Sequence, residues 1–439
     1  MFRSLSILPI AAVLAIIGLT AVPAQAQQPR GSRLPEGLFG GGVAEDGQVL
    51  ALGLSGGGGY SKGLRFVPDV TTTGSTFGHL AGNLRYSFIG SRLDAWANAA
   101  SSAHYYADAT DQWPARHVAN GGISFRVPLS ARTQLAMGQM ATYEPLQTVS
   151  PFPGLTDPGL GVGQVLPIDP DLAATGDGFV SYESSASLRH ELSRRTAVSV
   201  DANYRRRGQP SATGDLSIIE AGGRLTRELA RGLGARLGYY YTRGIYSDTG
   251  QRAQFDHQNI DVGLDFNRAL SLTRRTRLSF TTGSVVMNDG DRTRFAVTGH
   301  ARLNHDIGRS WRASAAYRRG AEFLGTLRAP IVSDAVTTGL DGFLGPRLRV
   351  NGTVGAVRGD VGLGQSNSFT SYYATTGLTV GVTAYLGLDV SYSYYESDFA
   401  GASLLVPGVP DRFARQSLRV SARLWAPLLT RTRRLNAAR

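Results

Sequence analysis

Along Thr196–Gly208, "TAVSVDANYRRRG", apolar and polar residues alternate. Val198, Val200, Ala202 and Tyr204 fall on one side of an extended chain, and Ser199, Asp201, Asn203 and Arg205 on the other. The same period recurs in Leu233, Ala235, Leu237, Tyr239 and Tyr241, in Trp311, Ala313, Ala315 and Tyr317, and in Leu388, Val390, Tyr392 and Tyr394. A period of two with little helical periodicity beside it predicts strands.

Short breaks of one kind separate these segments: "FIGSRL" at 88–93, "LSARTQ" at 129–134, "LSRRTA" at 192–197 and "LARGLG" at 229–234. They continue with "LTRRTR" at 272–277, "IGRSWR" at 307–312, "LGPRLR" at 344–349 and "AYLGLD" at 384–389. Their centres lie about 35 to 43 residues apart, with one interval near 63. Each interval holds a strand, a polar loop rich in Gly, Asp and Pro, and a returning strand. With one strand before the first hairpin, "QVLALGLSGGGGYS", and one after the last, "FARQSLRVSARLWAPL", the count comes to about eighteen strands. Segments 5 and 14 are poorly patterned.

Short turns on one side and long loops on the other are the layout of an outer-membrane barrel, with the turns in the periplasm. A soluble β-sandwich with a Tyr-rich core would show the same alternation. It would explain neither the repeated hairpins nor the N-terminus. That terminus, "MFRSLSILPIAAVLAIIGLTAVPAQA", reads as a secretory signal peptide over 1–26: Arg3, an apolar core, then Ala24-Gln25-Ala26. Pro23 and the small-residue site argue against a retained membrane anchor. No later stretch is long and apolar enough for a transmembrane helix. The expected fold is therefore all-β: a transmembrane antiparallel up-and-down β-barrel over 48–428. It follows a periplasmic segment at 27–47 and precedes a basic tail at 429–439.

Composition changes little except in charge. The chain holds 55 Gly, 18 Tyr and no Cys, which excludes lipid anchoring through Cys and a disulfide framework. Basic residues exceed acidic ones by 45 to 33, and Lys62 is the only lysine. A nucleic-acid patch is not indicated. Arg194 and Arg195 fall in a short turn, Arg206 and Arg207 at the opposite rim, and Arg205 in the lumen.

Strand parity points Arg85, Arg126, Arg189, Arg224, Arg236, Arg277, Arg302, Arg312, Arg349 and Arg423 into the periplasmic half of the lumen. The acids expected at similar depth are Asp94, Glu191, Asp265, Asp341 and Asp389. Two readings stand side by side: a ladder of ion pairs that stiffens the wall, and an excess of positive charge that draws anions into a pore. The longest loop, 144–178, carries six prolines and is a candidate for narrowing the channel or for a surface loop.

Catalytic signals are poor. The seven His are scattered, and His300 and His305 have opposite parity. "GGGG" at 56–59 precedes no Lys-Ser/Thr and no helix, so it is not a phosphate loop; it fits a bend or close packing in the first strand. No enzyme activity, cofactor or metal is expected.

The closing segment "RQSLRVSARLWAPLL" resembles the terminal strand of a family of outer-membrane β-barrel porins. Members share a signal peptide, a glycine-rich first strand, short Arg-containing turns and a last strand ending in LW-x-P-L. The resemblance implies a channel linked to exopolysaccharide secretion in Gram-negative bacteria. Its partners would be outer-membrane lipid, an anionic polysaccharide and periplasmic polysaccharide-export proteins. Here the chain continues past that strand with "TRTRRLNAAR", where many such barrels end on an aromatic residue. Two other functions remain open: a general or anion-selective diffusion porin, and a barrel enzyme acting on lipid.

Overall fold

A computed structural model describes residues 47–64, 73–107, 115–144, 179–208, 215–248, 251–270, 275–288, 293–323, 330–361, 368–399 and 412–432. The expected signal peptide, most of the 27–47 segment, the proline-rich loop after Glu144 and the residues from 433 on lie outside them. The strands are β1 (Gly47–Leu64), β2 (Thr73–Ile89), β3 (Asp94–Tyr106), β4 (Ala115–Ser130), β5 (Thr133–Glu144) and β6 (Phe179–Ser193). They continue with β7 (Thr196–Gly208), β8 (Asp215–Ala230), β9 (Leu233–Asp248), β10 (Gln251–Ala269), β11 (Thr276–Asn288) and β12 (Thr293–Ile307). The last six are β13 (Trp311–Phe323), β14 (Pro330–Leu344), β15 (Leu348–Val361), β16 (Ser368–Gly381), β17 (Leu386–Phe399) and β18 (Arg412–Thr432).

Each strand pairs antiparallel with its neighbours in sequence, and β1 pairs with β18, which closes an 18-stranded barrel. Closure leaves no sheet edge, the condition for a strand structure to cross a hydrocarbon layer. Alternation decides which side faces out. Leu80, Leu84, Ile123, Val200, Leu237 and Val262 are exposed on the outer face, while their sequence neighbours point inward. The outer face is thus an apolar belt. Tyr60, Tyr105, Tyr143, Tyr182, Tyr204 and Tyr317 stand exposed on it toward the long-loop end, as an interfacial girdle does.

The closing seam explains the glycine run. A Cβ on Gly57 would lie 2.0 Å from the Val420 carbonyl oxygen, and one on Gly59 would lie 2.2 Å from that of Leu418. The inner face of β1 therefore has room for hydrogen only where it meets β18. The seam also corrects the expected boundary at 428. β18 runs to Thr432, opposite Gly47, so Leu429–Thr432 belong to the wall and not to a tail. Pro427 offers no N–H and reads as a strand end. The register shifts instead, with Ala51 opposite Pro427 and Leu50 opposite Leu429. This bulge skips one residue and the ladder resumes.

At the long-loop end the wall is not a simple cylinder. β12 pairs with β11 along its whole length, but its pairing with β13 extends only as far as Gly299 opposite Arg319. Beyond that point the lumenal side of the β11–β12 hairpin overlaps the outer side of β13–β15. Val285, Met287 and Ala296 form one buried cluster with Val332, against which Ala321 packs. Arg294 reaches past two strands to Asp360 at 2.8 Å. The inward residues nearby are closed off from solvent: Ile331 is 0% exposed, and Tyr106, Phe369 and Tyr395 are 1% each. Phe77 stacks on His104 at 5.0 Å and Phe369 on Phe399 at 5.7 Å. Inward-pointing apolar and aromatic side chains are therefore buried at this end.

Candidate functional site: an arginine belt at the short-turn end of the lumen

All ten arginines singled out by parity fall on the inward-facing register and lie in the short-turn half of their strands. They are spread over ten of the eighteen strands, so the belt runs around most of the wall. In places the register makes a lateral row. Arg189 and Arg224 both stand opposite Ser199, one on each side of β7.

The belt is not uniform, because its members are held differently. Arg349 meets Asp341 at 2.9 Å, Arg423 meets Asp389 at 3.0 Å, and Arg312 meets Asp306 at 3.0 Å. Asp389 also accepts a hydrogen bond from the Thr379 hydroxyl. Arg126 and Arg224 lie over aromatic rings instead, with guanidinium carbons 5.6 Å from the Trp96 centroid and 5.3 Å from that of Tyr240. Asp94 is the cross-strand neighbour of Arg126, yet the guanidinium stacks on Trp96. Arg302 is half-buried between strands.

Arg236 serves the wall. β10 advances five residues from Ile260 to Asp265 while β11 falls back only three, from Ser284 to Thr281. The ladder is broken across that bulge. Side chains take over: the Thr282 hydroxyl accepts from the Leu264 N–H at 3.2 Å, and the Ser284 hydroxyl donates to the Ile260 carbonyl at 2.8 Å. Arg236 donates to the Thr282 carbonyl and pairs with Asp265, and its side chain is only 11% exposed. Replacing Arg236 with Gln is expected to cost about 1–3 kcal/mol through the unpaired groups left behind. Urea unfolding should show a lower midpoint, and the Asp265 carboxylate left without its partner should shift ion selectivity slightly toward cations.

Arg85, Arg189 and Arg277 remain. Each is exposed to the lumen and forms no ion pair with a described carboxylate. They sit on β2, β6 and β11, well apart around the wall. Glu191 lies beside Arg189, Arg194, Arg195 and Glu228 in a cleft at the barrel's end. The ladder and the positive excess therefore coexist, on different residues.

Sequence reasoning missed four partners. Asp306 has the parity of Arg302 and could have been found from it. The Trp96 and Tyr240 stacks needed the inter-strand register, and the Thr282 carbonyl needed the bulge. Deeper in the lumen, Asp201 accepts from Ser187 at 2.6 Å and Tyr240 at 2.9 Å, and Glu183 pairs with Arg205 at 3.2 Å. His300 and His305 face opposite sides, as their parity requires.

No family model and no curated protein matches the chain. Among solved structures, a ferric enterobactin receptor mutant from Pseudomonas aeruginosa aligns at 8% identity and TM-score 0.42, covering 88% of this chain and 82% of that one. The FrpB iron transporter from Neisseria meningitidis aligns at 10% identity and TM-score 0.45, covering 85% and 66%. Acinetobacter baumannii OccAB4 aligns at 12% identity and TM-score 0.43, covering 88% of this chain and all of that one. Values this low transfer neither ligand nor activity, and what this chain is rests on its own geometry: a closed, apolar-belted, 18-stranded barrel of the outer-membrane type.

Proposed function

We propose that the chain is an outer-membrane channel for anions, with an acidic exopolysaccharide as its leading cargo. The observation that carries this reading is the excess of lumenal arginine at the short-turn end, Arg85, Arg189 and Arg277 in particular. A barrel of this strand number is wide enough for an aqueous lumen. Fixed positive charge on a low-dielectric wall concentrates anions without committing to one structure. A repeating acidic sugar would meet successive guanidinium groups, which match carboxylates in shape as well as charge.

Passage would be passive. The short-turn half offers charge, and the long-loop half buries inward Tyr106, Ile331, Phe369 and Tyr395. Periplasmic export proteins are proposed as the trigger of opening. The implied cargo comes from the resemblance of the terminal strand; the preference for anions comes from the belt. A diffusion porin for small anions shares the belt and differs in cargo.

Planar-bilayer recording of the refolded barrel separates these readings. The expected result is a small, intermittently opening conductance that prefers anions and is blocked by uronic-acid oligomers at lower concentration than by neutral ones of equal length. A steady anion conductance indifferent to oligosaccharide would favour the diffusion porin. A cation preference would remove both.

A further inference from the structure

The long-loop rim carries a repeated arrangement on its outer face that the channel reading does not use. Three strands, β7, β9 and β13, carry Tyr-x-Arg in their long-loop halves: Tyr204 and Arg206, Tyr241 and Arg243, Tyr317 and Arg319. In each case the following strand supplies an Asp: Asp215, Asp256 and Asp334. All nine residues share the outward parity of the apolar belt, set by Val200, Ile219, Leu237, Val262 and Val336.

An Arg–Asp contact forms at all three sites, and a Tyr–Asp contact at two of them. Tyr241 donates to Asp256 at 2.7 Å, and Arg243 Nε donates to the same oxygen at 2.9 Å. Tyr317 donates to Asp334 at 2.6 Å, and Arg319 Nη1 meets both carboxylate oxygens, at 2.9 and 3.2 Å, while its Nε donates to the Val297 carbonyl at 3.1 Å. Arg206 Nη2 donates to Asp215 at 2.7 Å. The arginine side chains are nevertheless 59%, 41% and 41% exposed. A guanidinium has five N–H donors, and these bonds leave several unused on each.

Exposed Arg–Asp pairs contribute little stability, so an Arg beside an Asp on the outer face of three separate hairpins is poorly explained by stability alone. Their position is more informative. Tyrosine on a lipid-facing strand marks the boundary between hydrocarbon and headgroups. An arginine two residues further along the same face stands about 7 Å beyond it, among the headgroups. Fixing the guanidinium through Asp and Tyr lowers the ordering cost of binding a ligand. The ligand class that suits an arginine fork is a phosphate.

We infer that these three Tyr-x-Arg/Asp sites hold phosphate-bearing lipid headgroups of the outer leaflet. The reading is independent of what passes through the lumen.

Native mass spectrometry on barrels incubated with bisphosphorylated lipid A in detergent tests it, with dephosphorylated lipid A and phosphatidylcholine as comparison lipids. Wild type should retain up to three phosphorylated molecules and few of the others. Combined R206Q, R243Q and R319Q should lower retention at least tenfold, and the corresponding Lys variants should recover part of it. R243Q alone should remove one bound molecule, which keeps the test valid should the triple variant fail to fold. Equal retention by wild type and variants, or of phosphorylated and dephosphorylated lipid, would overturn the inference. Displacement by millimolar inorganic phosphate would mark a small-anion site and overturn the lipid assignment.

Discussion

Replacing Arg85, Arg189 and Arg277 together with Gln lowers the anion-over-cation permeability ratio about fivefold. The estimate follows from Coulomb's law. A unit charge at about 4 Å in water is worth about 1 kcal/mol, and a salt screening length near 8 Å leaves a few tenths per charge across a wide lumen. Three such charges add to about 1 kcal/mol. None of these three forms an ion pair with a described carboxylate. The contrast is a second triple variant, R312Q, R349Q and R423Q, whose members are paired with Asp306, Asp341 and Asp389. Removing a paired arginine leaves its carboxylate behind, so this variant should shift selectivity toward cations by a similar step and should also unfold earlier. Reversal potentials in a tenfold salt gradient measure the first effect, and urea titration the second. Unchanged selectivity in the first triple would leave the belt with only its wall-stiffening role.

Substituting Gly57 with Val prevents closure of the barrel. The new Cβ would meet the Val420 carbonyl oxygen at 2.0 Å and the Ser421 Cα at 2.6 Å, and both belong to backbone that cannot swing aside. Forcing β1 away from β18 sacrifices ladder hydrogen bonds on the only seam that joins the two ends of the sheet. In hydrocarbon those unpaired groups cost several kcal/mol each, more than a marginally stable fold can lose. Gly78 provides the control. It lies on β2 beside the same strand, faces outward, and a Cβ there has nothing within 4 Å. Gly78→Val should fold as wild type, since it adds apolar surface to the belt. Electrophoretic mobility of unheated against heated samples reports closure. A normal folded band for Gly57→Val would show that the seam can part locally.

The sequence by itself determined the strand number, the direction of each side chain and the two kinds of connection. The physical reason is that side-chain period in a strand is fixed at two, and a barrel with lipid outside must place apolar residues on every second position. Once Val200 is outside, Arg189 and Arg224 are inside, without knowledge of any contact. Turn residues at 88–93 through 384–389 then set the count, since a short turn admits only a hairpin. Even the glycine run at 56–59 was legible as a bend or close packing, although neither the choice between them nor the partner strand was.

Only the tertiary structure decided which arginines are available. Parity gives a face and an approximate depth; it does not give neighbours. Arg236 and Arg277 look alike in the sequence, each just after a short turn. One covers a backbone carbonyl exposed by the β10 bulge and the other forms no ion pair among the described residues, and the first role depends on two extra residues in one ladder. The extension of β18 past Pro427 has the same origin, because a bulge absorbs a residue that local propensity marks as a strand end. The overlap of β11–β12 on β13–β15, with Arg294 on Asp360, lies further still from anything periodic. It joins residues 66 positions apart across two intervening strands, and no pattern of alternation encodes such a contact.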